Sequence, residues 1–178
     1  MKVMSHAVLK ITILLLGTSI LMFGCSPQYK PEDAFATEER HNSTFSVRVT
    51  AYRERRDFAQ ALGGAYYVFE AKNRDEGIWK KFLVVADDDP EPIDKNSIVI
   101  VNEKTGYGFM LKRFAVTTDA GKTWSIWDVG KVDSLKADRS CRIQSVKLNE
   151  FGTGNMGIIC SNSSTVLSTK DFGVTWKE

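Results

Sequence analysis

Thr117-Thr118-Asp119-Ala120-Gly121-Lys122-Thr123-Trp124 recurs as Thr169-Lys170-Asp171-Phe172-Gly173-Val174-Thr175-Trp176, so both stretches read T-x-D-x-G-x-T-W. The pattern is that of a tight turn between strands. Its aspartate carboxylate can accept backbone N–H bonds inside the turn. Its glycine supplies a backbone conformation that a Cβ disfavours. The second threonine begins the next strand, and the tryptophan carries a large ring toward a core between sheets. The repetition of Asp119, Gly121, Thr123 and Trp124 as Asp171, Gly173, Thr175 and Trp176 specifies a hairpin and no activity.

The repeated turn resembles the Asp-box of sialidases and of many secreted propeller proteins, where it is structural and lies away from any catalytic face. Its flanks agree. Gly108–Val116 reads as a strand into the first copy and Thr123–Val129 as a strand out of it. Met156–Cys160 and Thr165–Thr169 lead into the second. Upstream, Asp75-Glu76-Gly77-Ile78-Trp79 reads either as a shortened third copy or as a turn followed by a plain core tryptophan. Phe45–Arg53 alternates apolar and polar residues with a period of two. Ala65–Ala71, Lys81–Ala86 and the short run Ser97–Val101 are rich in aromatic and β-branched residues, as strands are. Only Arg53–Leu62 looks faintly helical. The expected fold is all-β, with units near 45–90, 91–135 and 138–178. Such units cannot close the usual ring of four or more blades, so the expected shape is an open propeller-like or sandwich-like domain with edges that need cover.

The first segment reads as an address. Lys2 and Lys10 precede an apolar run, Ile11–Phe23, too short for a comfortable transmembrane helix and suited to a secretory signal. The run ends in Leu21-Met22-Phe23-Gly24-Cys25-Ser26, which resembles a bacterial lipobox. The resemblance implies cleavage after Gly24, acylation of Cys25, and a mature chain facing the periplasm, with Ser26 favouring the outer membrane. Buried acyl groups, at about 0.8 kcal/mol per CH₂, would supply the membrane affinity. The expected organisation is a signal peptide over 1–24, a flexible tether over 25–44 and a β domain over 45–178.

With Cys25 assigned to lipid, Cys141 and Cys160 remain, and an oxidising compartment would let them pair. Their flanks read as two strands of a hairpin folded near Glu150 or Phe151, which would bring them opposite each other. Free buried thiols are the alternative. Lys+Arg 24 and Asp+Glu 22 give a net charge of +2, and Lys2 and Lys10 in the signal account for the excess. A neutral remainder is poor material for holding nucleic acid. Of the two histidines, His6 belongs to the signal and His41 to the expected tether. The β domain therefore has no histidine base, no Ser-His-Asp set, no transition-metal set and no expected cofactor. The acidic run Asp87-Asp88-Asp89-Pro90-Glu91 reads as a solvated loop, with a calcium loop as the sharper alternative. Among the aromatic residues, one of Tyr66 and Tyr67 is expected to be exposed. If Trp124 is core, Trp127 points to the opposite face and offers a binding surface.

An anchored, non-catalytic β domain is expected to act by binding a protein. Its layout resembles that of Tli-like immunity proteins for type VI secretion lipase effectors. The resemblance rests on Gly64-Ala65-Tyr66-Tyr67-Val68-Phe69-Glu70 and on the run Ala115–Trp127. It implies a phospholipase partner held inactive at the membrane, and it transfers no contact residue. An envelope scaffold and a glycan-binding module, the latter working through Trp127, are the competing expectations.

Overall fold

The computed structural model describes residues 30–54, 63–136 and 138–178. The signal segment, Cys25 and Ser26 lie outside them, as do residues 55–62 of the faintly helical stretch. The described residues form three antiparallel sheets and no α-helix. The first sheet holds β1 (Ala34–His41), β2 (Phe45–Arg53), β3 (Ala65–Asn73) and β4 (Lys80–Asp87). The second holds β5 (Ile98–Ile100), β6 (Gly106–Met110), β7 (Arg113–Thr117) and β8 (Ser125–Asp128). The third holds β9 (Arg142–Leu148), β10 (Gly154–Ile159) and β11 (Ser164–Thr169), and Lys177 bridges to Ser168 on the free side of β11. Strand order follows chain order in every sheet, so each is a meander whose alternate turns share one end.

The central strands of the second sheet, β6 and β7, are buried on both faces. Ile98, Met110 and Ala115 pack against Phe45, Val47, Val49, Tyr67 and Phe69 of the first sheet. Tyr107, Phe109, Phe114, Val116 and Trp127 pack against Ile143, Val146, Met156, Ile158 and Leu167 of the third. This is why β6 is buried along its whole length, whereas β9 alternates exposed and buried positions. Close approach of the first two sheets depends on glycine. A Cβ on Gly108 would lie 2.9 Å from the Phe69 ring, and one on Gly106 would lie 3.0 Å from the Phe45 ring. The outer face of the first sheet carries a row of alternating charge, Glu39, Arg48, Glu70 and Lys81, on adjacent strands. Within it Arg48 pairs with Glu70 at 2.8 Å. The outer face of the third sheet presents Lys147, Asn155 and Ser168 in register. Charged and polar outer faces give a further sheet little to pack on, so the stack stops at three.

Several expectations are corrected. Residues 34–41 are not tether: they form β1, paired along β2. Asn42, Ser43 and Thr44 make the following turn, in which the Asn42 side-chain oxygen accepts from the N–H groups of Thr44 and Phe45. Gly108–Val116 is not one strand. It folds back at Leu111-Lys112, so that β6 and β7 are a hairpin with Met110 opposite Arg113. Leu111 takes a positive φ of 51° there, a conformation that no glycine or asparagine announced in the sequence. Trp127 is not a surface residue. It lies 9% exposed in the core shared with the third sheet, because that sheet covers its side of β8, while Ile126 on the other side is exposed. Tyr67 is buried, and Tyr66 is half-buried with its hydroxyl donating to Glu54. Trp79 is not a core residue. It sits half-buried with the Arg48 guanidinium 4.2 Å from its ring centre and the Lys72 ammonium 4.8 Å from it.

Replacing Gly108 with Val should lower stability by about 1–3 kcal/mol, the usual cost of overpacking. The fall would appear in the urea midpoint, and an unchanged midpoint would show that the sheets separate freely.

Candidate functional site

The meander order gives the domain two unlike ends. One end collects both T-x-D-x-G-x-T-W turns, the turn after β3, and the turns after β1, β5 and β9. The other collects the links between sheets and the turns after β6 and β10.

At the first end the two repeated turns are nearly superimposable in their bonding. Asp119 accepts the Thr117 hydroxyl at 2.8 Å, the Thr123 N–H at 2.9 Å and the Thr123 hydroxyl at 2.6 Å. Asp171 accepts the matching groups of Thr169 and Thr175 at 2.7, 2.9 and 2.6 Å. The threonine that opens each turn accepts the glycine N–H, at 2.9 Å for Gly121 and 3.0 Å for Gly173. Gly121 and Gly173 have φ of 81° and 85°, the left-handed region that requires glycine. Trp124 stacks on Phe82 of the first sheet, ring centres 3.6 Å apart, and Trp176 meets Phe114 of the second edge-on at 5.4 Å. Each tryptophan thus clips its own turn to the preceding sheet. In the first sheet, Asn73 stands where Thr117 and Thr169 stand. Its side-chain oxygen accepts the Asp75 N–H at 3.0 Å, and Gly77 has a φ of 67°. Trp79 follows its glycine one residue sooner than Trp124 and Trp176 follow theirs. Such a shift turns a side chain to the opposite face, which accounts for its place outside the core.

Burial pushes the Asp119 and Asp171 carboxyls upward, but the hydrogen bonds from Thr123 and Thr117, and from Thr175 and Thr169, outweigh it. Both groups are held below the ordinary aspartate value. Their folded pKa is lower than their unfolded one, so the stability they contribute is present above about pH 3.9 and is lost as pH falls through the folded value.

At the opposite end lies a cleft of about 790 Å³, bordered by all three sheets. Asp87, Asp89 and Glu91 form one wall, from the end of β4 and the link that follows. Lys112 comes from the turn after β6, and Arg139 and Arg142 from the approach to β9. Arg113 pairs with Asp128 at 2.8 Å on the rim. Arg142 pairs with Glu91 across the cleft, joining the third sheet to the link between the first two. Both side chains of that pair are about half exposed, so it orients the walls and adds at most about 1 kcal/mol. Tyr67 donates its hydroxyl to the Glu91 carbonyl at 2.6 Å and so fixes the acidic wall from inside the first core. Burial pushes the Tyr67 phenol up, and the Tyr107 phenol up to about 12, so both remain hydrogen-bond donors throughout the neutral range.

Cys141 and Cys160 are joined by a disulfide at the cleft's floor, where they close the open end of the β9–β10 hairpin. Beside them the Ser140 hydroxyl accepts the Ser161 N–H at 2.8 Å, and the Asp138 carboxylate accepts the Ser140 N–H at 2.8 Å. Asp138 lies close to both sulfurs, but bonded sulfurs are not thiolate ligands, so this group is no metal site. Asp87, Asp88 and Asp89 do not gather into a metal-holding group among the described residues. Asp87 instead accepts the Asp89 N–H at 3.1 Å, an ordinary loop contact.

The acidic run was legible in the sequence as a cluster, but its basic counterpart was not. Lys112 lies far along the chain from Arg139 and Arg142, and it meets them, and all three meet the acidic run, only through the stacking of the sheets. With Trp127 buried, the glycan-binding expectation loses the side chain that carried it. No protein-family model, curated protein or solved structure matches this chain.

Two outcomes test this description. Asp171→Ala should cost about 1–3 kcal/mol, the range for bonds to a charged group, and flatten the acid limb of a stability–pH curve. Reducing the disulfide should lower stability by about 3 kcal/mol for a loop of this size. Thermal or urea unfolding with and without reductant measures it, and equal midpoints would mean that the bond constrains nothing.

Proposed function

We propose that the chain is a lipid-anchored, non-catalytic lipoprotein of a bacterial envelope that binds a partner protein through the charged cleft. In this reading the three sheets are an open, propeller-like stack built from Asp-box hairpins, two intact and one degenerate after β3. Cys25 carries the lipid, Ser26 directs the protein to the outer membrane, and the domain faces the periplasm. The partner class that suits the reading best is a phospholipase effector of a type VI secretion system, which the protein would hold inactive as an immunity protein.

One observation carries the proposal. The box end, where the repeated turns lie, has a smaller pocket of about 450 Å³ that draws charges such as Arg74, Asp75 and Lys104 from the first two sheets only, while the other end gathers both signs of charge from all three sheets around one cleft. Paired walls of opposite charge steer and select a protein partner more readily than they bind a uniform ligand. A specific interface of ordinary size covers about 800 Å² on each side, an area that this end with its rim can provide.

The acylated protein, purified in detergent and immobilised, is exposed to lysate of its own organism, and what it retains is identified by mass spectrometry. Retention of one lipase-like protein at near-equal stoichiometry is the expected outcome, together with loss of that protein's lipase activity in the complex. Retention of several envelope proteins without a lipase would replace this reading with a scaffold. Retention of none would remove it.

A further inference from the structure

The direction of β1 decides which end of the domain faces the anchor. β1 begins at Ala34 and runs to His41, which leads into the box end. Ala34 pairs with Tyr52, Tyr52 with Tyr66, and Tyr66 with Ala86, so all four stand in one row across the first sheet. Ala86 and Asp87 line the cleft. The chain therefore enters the domain at the cleft end, three strand spacings, or about 14 Å, from the acidic wall. The short 3-10 turn Pro31–Asp33 precedes β1 directly, with Lys30 as its N-cap. Because β1 absorbs most of the expected tether, little chain is left for a spacer. Even fully extended, Cys25 to Lys30 spans at most about 18 Å. A lipid on Cys25 would hold the cleft end close to the bilayer and point the box end away from it.

We propose that the cleft is a membrane-side docking site for a partner-protein segment that carries both signs of charge and approaches along the lipid surface. The proposal rests on the reading above of Cys25 as the anchor and of the domain as a binder of protein. Arg142 and Glu91 already satisfy each other, and Arg113 has Asp128. The Asp89 carboxylate and the Arg139 guanidinium line the same cleft and have no ion-pair partner among the described residues. With Asp87 and Lys112, which line the cleft and likewise have no ion-pair partner among the described residues, they leave two acidic and two basic groups for an incoming chain, the acidic pair asking for Lys or Arg and the basic pair for Asp or Glu. An anionic lipid headgroup would meet Asp87 and Asp89 as well as Lys112 and Arg139, a mixed set with no net attraction for it, so the bilayer is the neighbour of this site and not its ligand.

The test uses the full acylated protein in phosphatidylethanolamine–phosphatidylglycerol vesicles that carry a headgroup acceptor dye. A donor dye is placed on Asn162→Cys, at the turn after β10, or on Phe151→Cys, at the box-end turn after β9. Both residues are exposed. Energy transfer should be clearly more efficient from position 162. Equal or reversed efficiencies overturn the membrane-side placement and leave partner binding standing. A mass without acyl groups overturns it as well. In a second arm the protein identified in the capture experiment is bound to the same vesicles. Arg139→Glu and Asp89→Lys should each weaken it at least tenfold, about 1.4 kcal/mol, with unchanged unfolding midpoints. Undiminished binding by both variants overturns the cleft as the docking place without touching the protein-binding reading. Absence of any retained protein overturns both.

Discussion

The burial of β6 and β7, the central strands of the second sheet, on both faces is the constraint from which the rest of the structure follows. A sheet with two apolar faces cannot stand in water, and it is stable only with a neighbour on each side. The first sheet meets it through Phe45 and Phe69, which lie over Gly106 and Gly108 of β6. The third meets it through Met156, Ile158 and Leu167 against Tyr107 and Phe114. Aromatic rings over glycines on one side, and interleaved aliphatic and aromatic residues on the other, let both neighbours come to close packing distance. The outer sheets can then afford charged and polar outer faces, and those faces end the stack.

This arrangement separates the labour of the two ends. At one end the two repeated turns are self-contained in their hydrogen bonds, and each is pinned by its tryptophan to the sheet before it. Asp119 and Asp171 spend their acceptor capacity inside the turn. At the other end the links cross from sheet to sheet and bring charged side chains of distant origin to one cleft. The cleft is held by single contacts, Tyr67 to the Glu91 carbonyl, Arg142 to Glu91 and the disulfide beneath, so substitution of its remaining charges leaves the cores intact.

The repeated turns were legible because their bonding is local: every partner of Asp119 and Asp171 lies within four residues. The second and third sheets fall within the units read at 91–135 and 138–178, whereas the first sheet begins before its unit, with β1 at Ala34. The pairing of Cys141 with Cys160 was also within reach of a hairpin reading, since β9 and β10 are consecutive. Other features were not legible. The turn at Leu111-Lys112 carries no residue that favours positive φ, so β6 and β7 read as one strand. β1 is polar along Thr37–His41 because it is an edge strand, and such a strand has the composition of a tether. Trp127 was placed by alternation alone, which distinguishes one face from the other but does not say which of them a neighbouring sheet covers.

Although it put His41, which closes β1 of the domain, in a tether, the sequence by itself determined the class of structure, the repeated hairpin turns and the rough limits of the second and third units. These depend on short-range geometry and on composition. Tertiary structure alone decided which faces are buried, where the edge strand lies, and which charges meet at the cleft. Those outcomes depend on how three sheets stack, and stacking is set by the complementarity of whole faces, with Gly108 meeting Phe69 and Arg142 meeting Glu91 across stretches of chain that no local pattern connects.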